Sequence, residues 1–114
     1  MTETNKFPKR GEIWLLKNDN RIKEISKDYR PVLIISNNTQ NKLDRSIVAF
    51  TLTSDEIENV KSFEVYIKNS PKTGLDKPSK ILCNYPFTID KELRLEERKL
   101  GTVDQEIMEK VRKA

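Results

Sequence analysis

The sequence predicts a mainly β fold: a small SH3-like barrel of five to seven short, mostly antiparallel strands, with short helical segments and a C-terminal α-helix. Three observations support this prediction. The apolar residues fall in short, β-branched or alternating runs, long polar loops separate these runs, and only the last stretch has clear helical spacing. With 114 residues there is room for one modest core. We therefore expect a single domain over residues 1–114, with residues 1–7 as a loose leader.

The first half of the chain contains three predicted strands, over residues 10–17, 30–36 and 46–53. The segment between the first two strands is polar and mostly charged, which predicts a loop or a short solvated turn of helix. Residues 37–45 predict a turn. The third strand is β-branched and alternating, so that Thr53 ends it on the face opposite to Phe50.

The second half is predicted to contain two further long strands and a helix. Residues 62–68 alternate like a half-exposed antiparallel strand, and residues 79–87 form the last long strand after a proline-bounded loop. Residues 88–93 fit a capped helical turn, and residues 99–103 fit a short strand or turn. An amphipathic helix follows, with Asp104 as its cap and an apolar stripe of Ile107, Met108 and Val111.

The charge balance favours an anionic partner. The chain carries 22 Lys and Arg against 18 Asp and Glu, a net charge of +4. The excess is uneven, with 8 basic against 5 acidic residues in 1–30 and 5 against 2 in 61–80. Two such segments could form one positive face for a nucleic acid, although ordinary solvated lysines would give the same count.

The composition excludes several kinds of site. The single cysteine, Cys83, rules out an intramolecular disulfide, fits a reducing cytoplasm and is expected to be a small buried residue. There are no histidines, which excludes imidazole catalysis, and there is no Cys/His cluster for zinc. No apolar run reaches membrane-spanning length, so we expect a soluble cytoplasmic protein without a metal or other cofactor.

Arg30 is the first candidate for a functional residue. Pro31 forces it into an extended conformation at the mouth of a strongly apolar strand. A rigid, permanently charged guanidinium near solvent is suited to hold a phosphate. The alternative is a strand-edge arginine that keeps the sheet soluble.

The strand pattern brings Thr53 close to Arg30. If the second and third strands pair antiparallel about a turn centred near residue 41, paired positions sum to about 83, as 30 and 53 do. A guanidinium and a hydroxyl would then lie side by side at one open end of the barrel. The alternative for Thr53 is a threonine selected for its β propensity.

Six short motifs occur around these residues in a specific order. They are PKRGEIW at 8–14, RPVLIISN at 30–37, TS at 53–54, LDKPS at 75–79, TIDK at 88–91 and LGTV at 100–103. Each motif is weak alone, but their common order and spacing are specific. Over roughly residues 8–112 the chain resembles the MazF/PemK family of toxin endoribonucleases.

This resemblance implies an SH3-like barrel, a homodimer, a partner antitoxin and metal-independent cleavage of single-stranded RNA. Arg30 matches the family's catalytic arginine and Thr53 its catalytic threonine. The absence of histidine and of a zinc-binding cluster is compatible with this chemistry, because attack of a 2′-hydroxyl on the adjacent phosphorus needs no protein nucleophile or metal. It needs a charge complementary to the phosphorane and orientation of the phosphate.

Further residues are weaker candidates for RNA contacts: Lys9, Arg10, Tyr29, Ser36, Asn41, Ser54 and Tyr85. The charged residues could bind phosphates and the tyrosines could stack on unpaired bases, although each is equally suited to an ordinary surface or rim position. Ser36 and Asn41 would either line the cleft or order the turn after the second strand. We expect an acidic antitoxin to compete with RNA for the positive cleft.

The chain departs from the family in two places. Residues 18–29 lack the usual glycine, and YPFT at 85–88 replaces a Gln-x-Arg-Thr pattern. The first of these loops shapes the substrate cleft, so its sequence bears on which RNA is recognised. Two alternative functions are a same-fold toxin that poisons DNA gyrase by binding it, and a barrel that binds RNA or protein without chemistry.

Overall fold

The protein is described here from a computed structural model that covers residues 7–17 and 29–114, without the side chains of residues 29 and 96–98. These ranges form seven strands and three helices: β1 (Glu12–Lys17), β2 (Tyr29–Ile34), α1 (Asn38–Leu43), β3 (Ser46–Thr53), β4 (Glu64–Ile67), β5 (Ser79–Leu82), β6 (Phe87–Asp90), α2 (Lys91–Arg94), β7 (Leu95–Thr102) and α3 (Gln105–Lys113). The expected leader, apart from Phe7, and the loop over residues 18–28 lie outside the described residues.

The strands form one curved antiparallel sheet in the order β4-β5-β3-β2-β1-β7. The strand β3 is its centre: β2 lies along one edge, while β5 and β6 share the other edge, end to end. The mainly β class, the antiparallel pairing and the minor share of helix are therefore confirmed.

The sheet carries a hydrophobic cluster on each face. Alternation in β3 directs Phe50 and Leu52 to one cluster and Ile47 and Ala49 to the other, as the sequence predicted. Each fully buried aliphatic or aromatic side chain stabilises the fold by about 1.5–3 kcal/mol. The first cluster also contains Val111 of α3, which fastens the helix to the sheet.

The segment after β2 is a helix, so the predicted turn over residues 37–45 was only partly correct. Asn37 caps α1 by accepting a hydrogen bond from the backbone N of Gln40 at 2.8 Å. The side chain of Asn41 is fully buried and anchors the helix to the end of β2. Two asparagines thus supply the cap and the anchor that make six residues helical.

The predicted strand over residues 79–87 was wrong, because it is two strands. β5 ends at Leu82, a turn occupies Cys83 and Asn84, and β6 begins at Phe87 after Pro86. Proline supplies no N–H to a ladder, so it separates the two strands. β6 pairs with the first half of β3 and β5 with its end.

The segment predicted as one helical turn over residues 88–93 is half strand and half helix. Thr88 and Ile89 belong to β6, and Asp90 then caps α2 by accepting from the backbone N of Glu92 and Leu93 at 3.0 and 3.2 Å. The strand predicted at 99–103 is longer, since β7 begins at Leu95.

The C-terminal helix matches the prediction. Asp104 caps α3 by accepting from the backbone N of Ile107 at 3.0 Å, Val111 is buried, and Ile107 and Met108 pack against the first cluster. None of the described helices combines the length and the apolar character that a membrane span requires.

Candidate active site

The pairing of β2 with β3 has the register that the sequence predicted. Val32 lies opposite Thr51, Leu33 opposite Phe50 and Ile34 opposite Ala49, and the two residue numbers in each pair sum to 83. The reason is local: α1 and its flanking residues close the connection between the strands, so the turn length fixes the pairing.

Arg30 and Thr53 are the residues two positions beyond the last pair of this ladder. Arg30 is exposed and pairs with Leu16 of β1, and Thr53 is the half-buried last residue of β3. The observed ladder ends at Val32 and Thr51, and the same register continued by two residues would set Arg30 opposite Thr53. Directly opposed residues share a face of the sheet, and neighbouring strands lie about 4.8 Å apart. The two residues therefore occupy the same end and the same face of adjacent strands.

The hydroxyl of Thr53 has a defined partner. Its Oγ1 accepts a hydrogen bond from the backbone N of Asp55 at 3.1 Å. A hydroxyl that accepts one bond still has its own proton to donate. Since Ser54 and Asp55 are exposed, that donor lies next to solvent and can reach a ligand.

A third polar residue, Lys80, lies in the same row across the sheet and was not identified from the sequence. Lys80 of β5 pairs with Thr53 on one side and with Tyr66 of β4 on the other. It is only 4% exposed, and its Nζ lies 2.9 Å from Oε1 of Glu64. The only signal in the sequence was a lysine placed directly before the apolar run Ile81-Leu82-Cys83.

The ion pair affects the acidity of Glu64. A hydrogen bond from the backbone N of Lys61, together with one from the Lys80 ammonium, lowers the pKa of Glu64 below its ordinary value of 4.5. The carboxylate thus stays charged where it holds Lys80. This ion pair occupies one of the three N–H donors of Lys80.

Four of the weaker candidates lie on the surface. Lys9 and Arg10 are exposed just before β1, and Arg10 donates through Nη1 to the carbonyl of Ile35. This contact places Lys9 and Arg10 at the opposite end of β2 from Arg30, about 15–20 Å away along the strand. Ser54 is exposed and directly follows Thr53, and Tyr85 is 70% exposed between β5 and β6.

Ser36 and Asn41 form a buried network at that same far end. The hydroxyl of Ser36 donates to Oδ1 of Asn41, Nδ2 of Asn41 donates to the carbonyl of Ser36 at 2.9 Å, and the backbone N of Val48 donates to Ser36 Oγ at 3.1 Å. This network orders the turn, which was one of the two alternatives from sequence. Tyr29 begins β2 opposite Lys17, and its side chain lies outside the described atoms.

A metal site is not formed by the residues that the structure describes, where no three acidic or cysteine side chains cluster. Cys83 is buried, and burial together with the nearby charge of Glu64 raises its pKa to about 11. It is therefore the small buried residue expected from the sequence and is a poor nucleophile.

One protein family matches nearly the whole chain. The match covers residues 9–114 and is to the PemK-like, MazF-like toxins of type II toxin-antitoxin systems. No curated protein sequence is a significant match.

Solved structures share the fold at low identity. One is an endoribonuclease in complex with its cognate antitoxin from a mycobacterial species, with 23% identity, TM-score 0.71, and coverage of 93% of this chain and 88% of that one. Another is the Mycobacterium tuberculosis toxin MazF-mt6, with 20% identity, TM-score 0.70 and coverage of 89% and 88%. A MazE-MazF structure from Deinococcus radiodurans has 20% identity, TM-score 0.72 and coverage of 95% and 90%. At such identities the similarity establishes the fold.

Proposed function

Because the chain belongs to the PemK-like, MazF-like toxin family of type II toxin-antitoxin systems, we propose that it is a sequence-specific, metal-independent endoribonuclease that cuts single-stranded RNA and so stops growth. The observation that carries the proposal is the β2–β3 register, whose last pair, Val32 opposite Thr51, lies two residues before Arg30 and Thr53 on their strands. The names of the similar structures, an endoribonuclease and MazF toxins, support the same activity.

The reaction is an internal transesterification. The 2′-oxygen of the substrate bonds to the adjacent phosphorus, the bond from phosphorus to the 5′-oxygen breaks, and the proton lost from the 2′-hydroxyl is balanced by one gained at the 5′-oxygen. The products are a 2′,3′-cyclic phosphate and a 5′-hydroxyl. Arg30 neutralises the charge that develops on the phosphorane, and its permanently protonated guanidinium suits it to this role rather than to that of a base.

Thr53 acts as a fixed hydrogen-bond donor in this proposal. Its oxygen is occupied by the N–H of Asp55, so its proton is available for a phosphoryl oxygen or for aligning the 2′-hydroxyl. A preorganised donor of this kind contributes about 2.7–4 kcal/mol to the transition state, or about 100- to 1000-fold in rate.

The proposed partners are single-stranded RNA, an acidic cognate antitoxin and a second copy of the chain. Similar toxins have been crystallised with their antitoxins. An acidic antitoxin would compete with RNA for the same positive surface, which is the simplest way to inhibit the toxin. We place the protein in the cytoplasm, where its RNA substrate is found.

The test is cleavage of a long unstructured RNA by the purified protein in EDTA. We expect discrete fragments whose 5′ ends can be phosphorylated by a kinase without prior phosphatase treatment, and whose 3′ ends resist ligation until the cyclic phosphate is opened and the resulting phosphate is removed. Intact RNA after prolonged incubation contradicts the proposal and favours a toxin that acts by binding alone. A single sharp set of cut sites establishes sequence specificity.

A further inference from the structure

Lys80 is a charged side chain inside the protein. Its Nζ lies 2.9 Å from Oε1 of Glu64, 3.1 Å from the carbonyl oxygen of Glu56 and 3.2 Å from the carbonyl oxygen of Asn59. An ammonium group has three N–H donors, so these three oxygens occupy all of them. Because an unpaired buried charge is strongly destabilising, the lysine depends on all three partners.

Two of these partners belong to the loop 54–61, which forms most of the connection from β3 to β4. Most of this loop is exposed, and Glu56 has a φ of 53°, a left-handed conformation that costs a residue with a Cβ about 1–2 kcal/mol. The carbonyl of Glu56 also accepts from the backbone N of Asn59 at 3.1 Å. Lys80 therefore holds the loop in a conformation that the loop does not favour alone.

The same loop sets the environment of Thr53. Thr53 and Lys80 are directly opposed on β3 and β5, so their side chains lie on one face of the sheet. The second residue of the loop, Asp55, donates its backbone N–H to the Thr53 hydroxyl at 3.1 Å. A chain of contacts thus runs from the buried ammonium through the loop to the hydroxyl.

We propose that Lys80 is a positioning residue for RNA cleavage: by holding the carbonyls of Glu56 and Asn59 it fixes the loop 54–61 and thereby aims the Thr53 hydroxyl at the substrate. The inference rests on the proposed ribonuclease function. Lys80 has no donor left for a phosphate, so it does not bind RNA. Its loss therefore lowers kcat at nearly constant KM, whereas loss of a phosphate-binding lysine raises KM and weakens the salt dependence of binding.

Two variants separate positioning from stability. Lys80→Met removes the ammonium and leaves Glu64 buried without its partner. The double variant Lys80→Met with Glu64→Met removes both charges, and replacing a buried ion pair by apolar side chains often restores stability. The double variant should regain the stability that the single variant loses, but it lacks the bonds to the loop carbonyls.

Lys99→Met is the matched control. Lys99 of β7 forms an ion pair of similar length with Glu12 of β1, at 3.0 Å between Nζ and Oε2. The variant removes the same charge and likewise leaves a carboxylate without its partner, but from a side chain that is 46% exposed, and it does not touch the loop 54–61. The measurements are kcat and KM for a short RNA at a temperature where each variant is folded, and amide hydrogen exchange of the peptide that contains the loop.

We expect kcat to fall about 10- to 100-fold in both Lys80 variants, with KM within about twofold of wild type. Exchange in the loop 54–61 should be faster in both, and Lys99→Met should change neither quantity. A folded Lys80→Met protein with wild-type kcat, or a double variant that recovers kcat together with its stability, overturns the positioning role.

Failure of the Lys80 inference can be distinguished from failure of the ribonuclease proposal on which it rests. A wild-type protein that cuts no RNA overturns the ribonuclease proposal and the catalytic part of this inference together. The exchange measurement needs no activity, and unchanged exchange in Lys80→Met overturns the statement that Lys80 holds the loop. If the single variant does not fold, the double variant decides both points.

Discussion

Val32 lies directly opposite Thr51 where β2 pairs with β3, and this pair is the last of the ladder before the strands reach Arg30 and Thr53. The two proposed catalytic residues thus follow from a register that is fixed by three consecutive pairs. A slip of one residue in either strand would turn one of the two side chains to the other face. The proposed Arg30–Thr53 site therefore depends on this register.

Removal of the Arg30 guanidinium should abolish cleavage. We expect Arg30→Ala to fold normally, because the side chain is exposed, and to lose about 100- to 1000-fold or more in kcat/KM. Arg30→Lys keeps the charge without the planar fork and should recover only part of the rate. The control is Arg112→Ala, which removes an arginine that is 60% exposed and paired with Glu109 on α3. An equal loss of kcat/KM in Arg112→Ala would show that the effect of Arg30→Ala comes only from the change in net charge.

Loss of the Thr53 hydroxyl should have a comparable effect on rate. Thr53→Val preserves the branched shape and the β propensity but has no donor, and we expect kcat to fall about 100-fold or more while Thr53→Ser retains most of the activity. Thr51→Val is the matched control, because Thr51 is half-buried on the same face of the same strand. Full toxicity in cells that express Thr53→Val would contradict a catalytic hydroxyl.

The sequence predicted what depends on alternation and turn length. The alternating direction of side chains along β3 divided Phe50 from Ala49 correctly between the two clusters, and the turn length gave the register. The helix α3 was also predictable, since its cap and apolar stripe are local signals. Each of these features depends on residues that lie within about ten positions of one another in the sequence.

The features that the sequence did not predict depend on residues far apart in the chain. Lys80 sits in the interior because Glu64 and two loop carbonyls surround it, 16 to 24 positions away. Non-local partners of this kind leave no pattern in a short window. The break between β5 and β6 is different, because Asn84 and Pro86 are local turn signals that interrupt the apolar run and were not used in predicting a single strand.

Stability should fall in acid partly through Glu64. Its pKa is lower in the folded protein than its ordinary value of 4.5, because the backbone N of Lys61 and the Lys80 ammonium donate to the carboxylate. The charged form therefore stabilises the fold above about pH 4.5, and this contribution is lost as the pH falls through the folded-state pKa. We expect the free energy of unfolding to drop less between about pH 6 and about pH 3 in Glu64→Gln than in wild type.

Denaturant titrations at several pH values measure this difference. The pKa values of Glu12, Asp90 and Glu109 are lowered too, so wild type and variant should both lose stability in acid. Only the difference between the two curves reports on Glu64. Parallel curves over the whole range would show that the ionisation of Glu64 makes no net contribution to stability.

Cys83 should be unreactive in the folded protein. Burial, with the charge of Glu64, raises its pKa to about 11, and the residue is 9% exposed. At about pH 8 only about one thiol in a thousand is ionised, against about one in four for an ordinary thiol with a pKa of about 8.5. A thiol reagent should therefore label the native protein slowly and the denaturant-unfolded protein fast, and RNA cleavage should survive the native treatment. Rapid labelling without denaturant would contradict the burial.

Gly74 should tolerate no side chain, because its backbone is left-handed and its surroundings are closed. Its φ is 75°, and a Cβ there would lie 2.1 Å from the carbonyl oxygen of Leu100 on β7. Gly11 has a similar φ of 89°, but a Cβ there would meet only Met108 atoms, at 3.8 Å and beyond. We expect Gly11→Ala to lower the free energy of unfolding by about 1–2 kcal/mol through backbone strain alone. Gly74→Ala should cost about 2–5 kcal/mol, because β7 must also move. Denaturant unfolding of the two variants side by side measures the difference, and equal losses would mean that the loop around Gly74 is free to move away from β7.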